Sequence, residues 1–294
     1  MCLRGPEGGC LTAARGIRSL EPFYLEGQTG KLFAVYHAPS GDSAAPGILV
    51  APPFAEELNR SRHMMAAAAR ALRAAGRAVL IVDLHGTGDS AGCFDDARWH
   101  GWHADLESGA SWLENRGHPV SGVLAVRLGA LLALDWLTRS GRALSTLVLW
   151  GAVTSGTQYL NQFLRLRVAE SMARPDGGKE TTGDLKARIA AGETVEIGGY
   201  GLTAPLTDAI EGLRAADLGP PPGCRAWWLD LAIDGSSALS PASQRVISAW
   251  RDAGRSVDTA VVTGPSFWTL QEPEHVPGLI DATVEALCGD DHGQ

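Results

Sequence analysis

The sequence predicts an α/β fold with a mainly parallel central sheet flanked by helices. Short apolar runs bounded by Gly and Pro alternate with longer helix-period segments along most of the 294 residues. Strands buried on both faces read as continuous apolar runs, and the helices joining parallel strands cover them. Residues 123–134, Val-Leu-Ala-Val-Arg-Leu-Gly-Ala-Leu-Leu-Ala-Leu, run from such a strand through a tight turn directly into a helix. Hydrophobic residues make up 45%, enough for a full core in one large domain with an insertion.

Taken in order, residues 1–20 contain no apolar core segment, do not read as a signal peptide, and are expected to form a loose tail. Residues 31–37 alternate apolar and polar, as a half-buried strand does. Residues 47–51 form an apolar run stopped by Pro52 and Pro53. Helical spacing over 61–75 ends at Gly76, a C-terminal cap. A buried strand follows over 79–83 and a helix over 105–115. Then come the strand 123–126, its helix to about residue 138, and the strand 146–150. Alternation breaks over 155–222, which holds Arg-rich helical stretches, the polar run RPDGGKETTGD, the strand-like TVEIGGYGL and the stop GPPPG. This reads as a lid or cap insertion. Alternation resumes with a strand over 226–231, a helix over 241–253, a strand over 257–262 and a helix over 277–288. The expected organisation is a core of 21–154 and 223–290 interrupted by 155–222.

Composition excludes several classes. A formal charge of −8 argues against a nucleic-acid partner. No apolar run approaches the ~20 residues that span a bilayer. The five cysteines, Cys2, Cys10, Cys93, Cys224 and Cys288, are scattered and show no zinc or disulfide spacing, which suggests a reducing cytoplasm. No cofactor is implied.

Three motifs carry chemistry. Asp83-Leu-His-Gly-Thr-Gly-Asp-Ser90 follows a strand, and its glycines permit a tight turn. Asp83, His85 and Asp89 offer catalytic side chains, or they brace the loop through its amides. The second motif, Val50 to Asn59, also follows a strand. In a hydrolase this loop supplies one oxyanion-hole amide and the residue after the nucleophile supplies the other. Those donors are Phe54 or Ala55, and Leu128, since Pro52 and Pro53 have no N–H. Glu56 and Glu57 are either solvated acids favoured by a helix N-terminus, or one of them pairs with Arg127. The third motif is the turn at 125–129. Ala125 and Gly129 flank it as in Gly-x-Ser-x-Gly, but Arg127 stands where that pattern has serine. A guanidinium is no nucleophile. Arg127 is therefore either a relaxed loop residue or the centre of an anion site at a helix N-terminus.

The remaining triad places lack their expected residues. After the strand at 226–231 the acid's place falls on Ser237, with Asp230 and Asp234 nearby. After 257–262 the histidine's place falls on Ser266 or Phe267. His275 comes later and is a weak candidate base. Trp268, Gln271 and Glu272 are candidate site-lining residues, and Trp227 and Trp228 are read as sheet packing. His100 and His103 have no evident further metal ligands, so no metal is expected. Ser108, Ser111 and Ser155 have no comparable frame around them.

Together, PPFAEELNRSRHM, VDLHGTGDSAG, VRLGALLALDWL and GPSFWTLQEPEHVPGLIDAT resemble the type-2 hydrolase associated with the exosortase A system, within the α/β-hydrolase superfamily. The resemblance covers about residues 20–288. It implies an α/β-hydrolase fold and an association with bacterial exopolysaccharide production and protein sorting, without naming a substrate. Three functions compete. One is an accessory protein that binds a small anion at Arg127, Leu128, Phe54 or Ala55, and Trp268. Another is a hydrolase of ester, thioester or acyl-sugar bonds that uses Glu56, Glu57 or His275 with Arg127. The third is an interaction module that docks polysaccharide or sorting enzymes on 155–222.

Overall fold

The computed structural model describes residues 19–41, 44–173, 180–233 and 235–289. Most of the predicted tail (1–18), residues 174–179 of the polar run, Asp234 and residue 290 lie outside them.

Strands β1 (Leu20–Glu26), β2 (Lys31–His37), β3 (Gly47–Ala51), β4 (Ala78–Val82), β5 (Val120–Val126), β6 (Thr146–Trp150), β9 (Arg225–Ala232) and β10 (Ser256–Thr263) form one sheet. Its order is β1-β2-β4-β3-β5-β6-β9-β10. β2 pairs antiparallel with both β1 and β4, and every pairing from β4 to β10 is parallel. β3, β4 and β6 are buried at every position, as strands covered on both faces must be. β1 has no counterpart among the sequence expectations. Pro22 interrupts its apolar pattern, and an edge strand that pairs on one side tolerates that missing N–H.

Side chains alternate across the sheet. Leu49, Ala51, Val123 and Ala125 point to one core with α2 (Trp99–Asn115), α3 (Leu128–Ser140) and α8 (Pro241–Asp252). Ile48, Val50, Leu124 and Val126 point to the other with α1 (Glu56–Ala74) and α9 (Pro277–Cys288). Two helices begin earlier than their apolar spacing indicates. α1 starts at Glu56, not residue 61, because Glu56 and Glu57 suit the positive end of a helix. α2 starts at Trp99, not 105, where Trp99 and Trp102 bury their rings.

Between β6 and β9 the chain forms α4 (Gly156–Ala173), α5 (Thr182–Ala190), the hairpin β7 (Val195–Ile197) with β8 (Tyr200–Leu202), α6 (Ala204–Glu211) and α7 (Ala215–Leu218). Gly198 and Gly199 have φ of 56° and 88°, the left-handed backbone that a two-residue hairpin turn needs. No helix among the described residues is long and apolar enough to cross a membrane.

Candidate functional site

The strand β5 ends at Val126 and α3 begins at Leu128, so Arg127 makes the whole turn, with φ 56° and ψ −119°. Its N–H donates to Trp150 O at 3.0 Å and its carbonyl accepts from Ala130 at 3.0 Å. A non-glycine residue held there stores on the order of 1–3 kcal/mol of strain. Ala55, the residue that opens α1, has φ 50° and ψ −128°. Among the described residues, these two are the non-glycine residues with positive φ. The two turns abut: a Cβ on Gly129 would fall 2.5 Å from the carbonyls of Ala51 and Pro52. The positive ends of two helices therefore meet at this point, and their first-turn amides have no carbonyl one turn back within the helix.

The Arg127 side chain is held on every side. Its Nε and Nη2 each donate to Glu57 Oε1 at 3.2 Å, and Nη1 donates to Gly151 O at 2.6 Å. The guanidinium lies 4.8 Å from the ring centroid of Trp268. Both members of the Arg127–Glu57 pair are 18% exposed. The remaining Glu57 oxygen, Oε2, accepts from Tyr159 Oη at 2.9 Å. Burial, and then the Glu57 charge, push the Tyr159 hydroxyl well above its ordinary range, so it stays protonated and donates. Gly151 has φ 49°, and a Cβ there would lie 2.5 Å from the Trp268 ring. Glycine thus lets the indole reach the guanidinium. Asp230 is also near enough to feel Arg127: burial raises its carboxyl above the ordinary range, only partly offset by Trp228, Ser243 and the Arg127 charge. Ser243 Oγ donates to Asp230 Oδ2 at 3.1 Å.

Of the two glutamates, Glu57 makes the expected pair with Arg127. Glu56 instead accepts from Asn59 at 3.3 Å and Tyr200 at 3.2 Å and faces Arg60. Phe54 is buried among the rings of Phe94, Trp102, Tyr159 and Phe163. Leu128 is the first residue of α3 and is buried. His275 is exposed and packs edge-on against His63, with centroids 5.6 Å apart. Among the described residues, no histidine bonds to, pairs with or stacks on Arg127, Glu57 or Asp230. Phe267, one of the two positions expected for the histidine, is buried against Trp150 and Trp268, while Gln271 and Glu272 are exposed.

The other motifs serve the frame. Asp83 is 2% exposed, accepts from Arg62 Nη1 and Nη2 at 3.0 and 2.8 Å, and accepts from the Asp89 amide at 3.1 Å. Ser90 Oγ donates to Asp83 O and accepts from Phe33 N. The amide of His85 donates to Asp105. Trp228 is buried against Trp250. His103 lies 3.2 Å from Asp135, which Trp99 and Arg139 also hold, and His100 is exposed. The single metal-compatible group among the described residues, Cys93, Asp95 and Asp96, is exposed.

Sequence reasoning did not find Tyr159 or Gly151. Tyr159 lies in the segment that breaks the strand–helix alternation, where spacing gives no contact. Gly151 did carry a signal: it directly follows the strand beside the elbow.

No protein-family model matches the sequence, and no curated protein matches it. Solved structures do. Est1E from Butyrivibrio proteoclasticus with ferulic acid bound has a TM-score of 0.62 at 15% identity, covering 90% of this chain and 96% of that one. A thermostable carboxyl esterase from Bacillus coagulans has 0.58 at 15% identity, covering 94% and 99%. Mouse alpha/beta hydrolase domain-containing protein 10 has 0.55 at 17% identity, covering 92% and 97%. At such identities the likeness concerns the path of the backbone, and it agrees with the mainly parallel sheet: the chain has the α/β-hydrolase fold.

Proposed function

We propose that this protein is a non-hydrolytic accessory protein that binds a small anionic ligand at Arg127. The observation that carries the reading is the tip of the elbow: a guanidinium on strained backbone, between two helix N-termini, with a carboxylate already against it. A cation there attracts a carboxylate, a phosphate or an acidic sugar. The histidine's expected place supports it, since Phe267 there is a buried ring and the later candidate, His275, packs on His63. The resemblance to the exosortase A-associated hydrolases supports a cytoplasmic role beside exopolysaccharide or protein-sorting machinery, with those enzymes as protein partners. Residues 155–222 act as the lid in this reading. Tyr159 and Tyr200 from that segment touch Glu57 and Glu56.

A second reading has one favouring observation. Glu57 lies beside Arg127 at the two turns, so a water activated by Glu57, with Arg127 as oxyanion stabiliser, fits a hydrolase of ester, thioester or acyl-sugar bonds. In the same reading Glu56 and His275 are the other candidate bases.

Titration calorimetry with inorganic phosphate and with acetate tests the anion site. Binding to the wild type that disappears in Arg127→Ala, with the circular dichroism spectrum unchanged, is expected for the anion site. Equal binding by both proteins, or none by the wild type, contradicts it.

A further inference from the structure

We infer that Glu57 is a built-in occupant of the Arg127 site, and that the ligand is itself a carboxylate that enters by displacing it. This rests on the anion-binding reading above and specifies its ligand class.

The donors an incoming anion would use are already filled from within the chain. Glu57 Oε1 takes two guanidinium N–H groups, both at 3.2 Å, and Oε2 takes the Tyr159 hydroxyl at 2.9 Å. One planar group with two oxygens therefore satisfies three donors. A ligand carboxylate that uses this same Nε–Nη2 edge and the Tyr159 hydroxyl has to displace Glu57, because each of those donors already points at a Glu57 oxygen. Ligand and Glu57 thus exclude one another.

The donor set also discriminates between anions. It offers the Nε–Nη2 edge of Arg127 on one side and a single hydroxyl on the other. A carboxylate meets this with one oxygen on each side, as Glu57 does. A phosphate carries further charged oxygens that these donors leave unmatched. The rings beside the donors are aromatic, with Trp268 against the guanidinium and Phe54 5.9 Å from Tyr159. They suit the C–H faces of a sugar acid or the chain of an acyl carboxylate.

The exchange needs little rearrangement. Gly151 O holds Nη1 independently of Glu57, so the guanidinium keeps its place when Glu57 leaves. Glu57 is the second residue of α1 and its side chain is 18% exposed, so solvent borders the carboxylate that has to move. Tyr159 belongs to α4, so the latch on Glu57 ties the inserted segment to the exchange.

The test is titration calorimetry of the full chain with sodium D-glucuronate, acetate and inorganic phosphate, on wild type, Glu57→Gln, Glu57→Asp and Arg127→Ala. Without the competing charge, Glu57→Gln is expected to bind the carboxylates about tenfold tighter, as removal of an occupied state does. Glu57→Asp, whose carboxylate is one methylene too short, is expected between wild type and Gln; it carries the test if the Gln variant does not fold. Equal or weaker carboxylate binding in both Glu57 variants, with Arg127→Ala inactive, overturns the displacement and leaves the anion site standing. Tighter phosphate than carboxylate binding in Glu57→Gln overturns the ligand class. Binding unaffected by Arg127→Ala, or no binding by wild type or Glu57→Gln, overturns the inference and the underlying reading together.

Discussion

Replacing Arg127 by alanine and, separately, by glycine divides the two roles of this residue. Alanine removes the cation from Glu57, which is 18% exposed and keeps only Tyr159 as a partner. Breaking a fully buried pair costs about 3–5 kcal/mol, and residual solvent access here lowers that to about 2. Loss of the Trp268 contact adds about 1 kcal/mol. The alanine variant is therefore expected to lose about 3 kcal/mol. Unfolding entropy near 2.1 cal/mol/K per residue scales to about 0.6 kcal/mol/K for a chain of 294 residues, so Tm falls by about 5 °C. Glycine loses the same contacts but relaxes at φ 56° and ψ −119°. Set against its greater unfolded-state freedom, it should recover about 1 kcal/mol, close to 2 °C. Scanning calorimetry of the three proteins reads this directly. Equal Tm for the alanine and glycine variants would refute the strained turn, and an alanine variant that melts with the wild type would refute the structural weight of the ion pair.

Gly151→Ala places a methyl 2.5 Å from the Trp268 ring at φ 49°, so a loss of about 2–3 kcal/mol and a shifted tryptophan emission are expected in urea melts followed by fluorescence. Asp105 is fully buried, and burial pushes its carboxyl up to about 6, against about 3.9 in the unfolded chain. Its contribution to stability is therefore complete below about pH 4, is lost as pH rises through 6, and is flat above. Asp105→Asn keeps an acceptor for the His85 amide and removes that slope. The variant should be up to about 3 kcal/mol more stable than wild type at pH 8 and indistinguishable at pH 4, measured by urea melts. An identical pH dependence in both proteins would count against the burial argument.

The parts of the fold written in apolar runs were legible. Residues 31–37, 47–51, 146–150 and 277–288 form elements with those bounds, because Gly and Pro delimit them. The elbow was legible because only small residues fit beside its tip, and Gly129 meets the carbonyls of Ala51 and Pro52. β1 was not, since its burial pattern is mostly exposed and Pro22 breaks it. Nor was the first turn of α1, where Glu-Glu-Leu-Asn-Arg carries no apolar period and the helix dipole, not packing, favours the acids. At the site, sequence narrowed the partner of Arg127 to Glu56 or Glu57. Choosing between them required the direction in which α1 presents each side chain. Tyr159 and Gly151 are joined to Arg127 across 32 and 24 positions by tertiary packing alone, through Glu57 in the first case and a carbonyl in the second.

The central claim is that the elbow holds a ligand and does not cleave one. Initial rates on a panel of p-nitrophenyl acyl esters, an acyl thioester and an acetylated sugar, with highly purified wild type and the Glu56, Glu57, Arg127 and His275 variants, test it most directly. Rates indistinguishable from buffer are expected for every protein. Wild-type turnover that Glu57→Gln or Arg127→Ala abolishes would contradict the claim and make the elbow a catalytic centre.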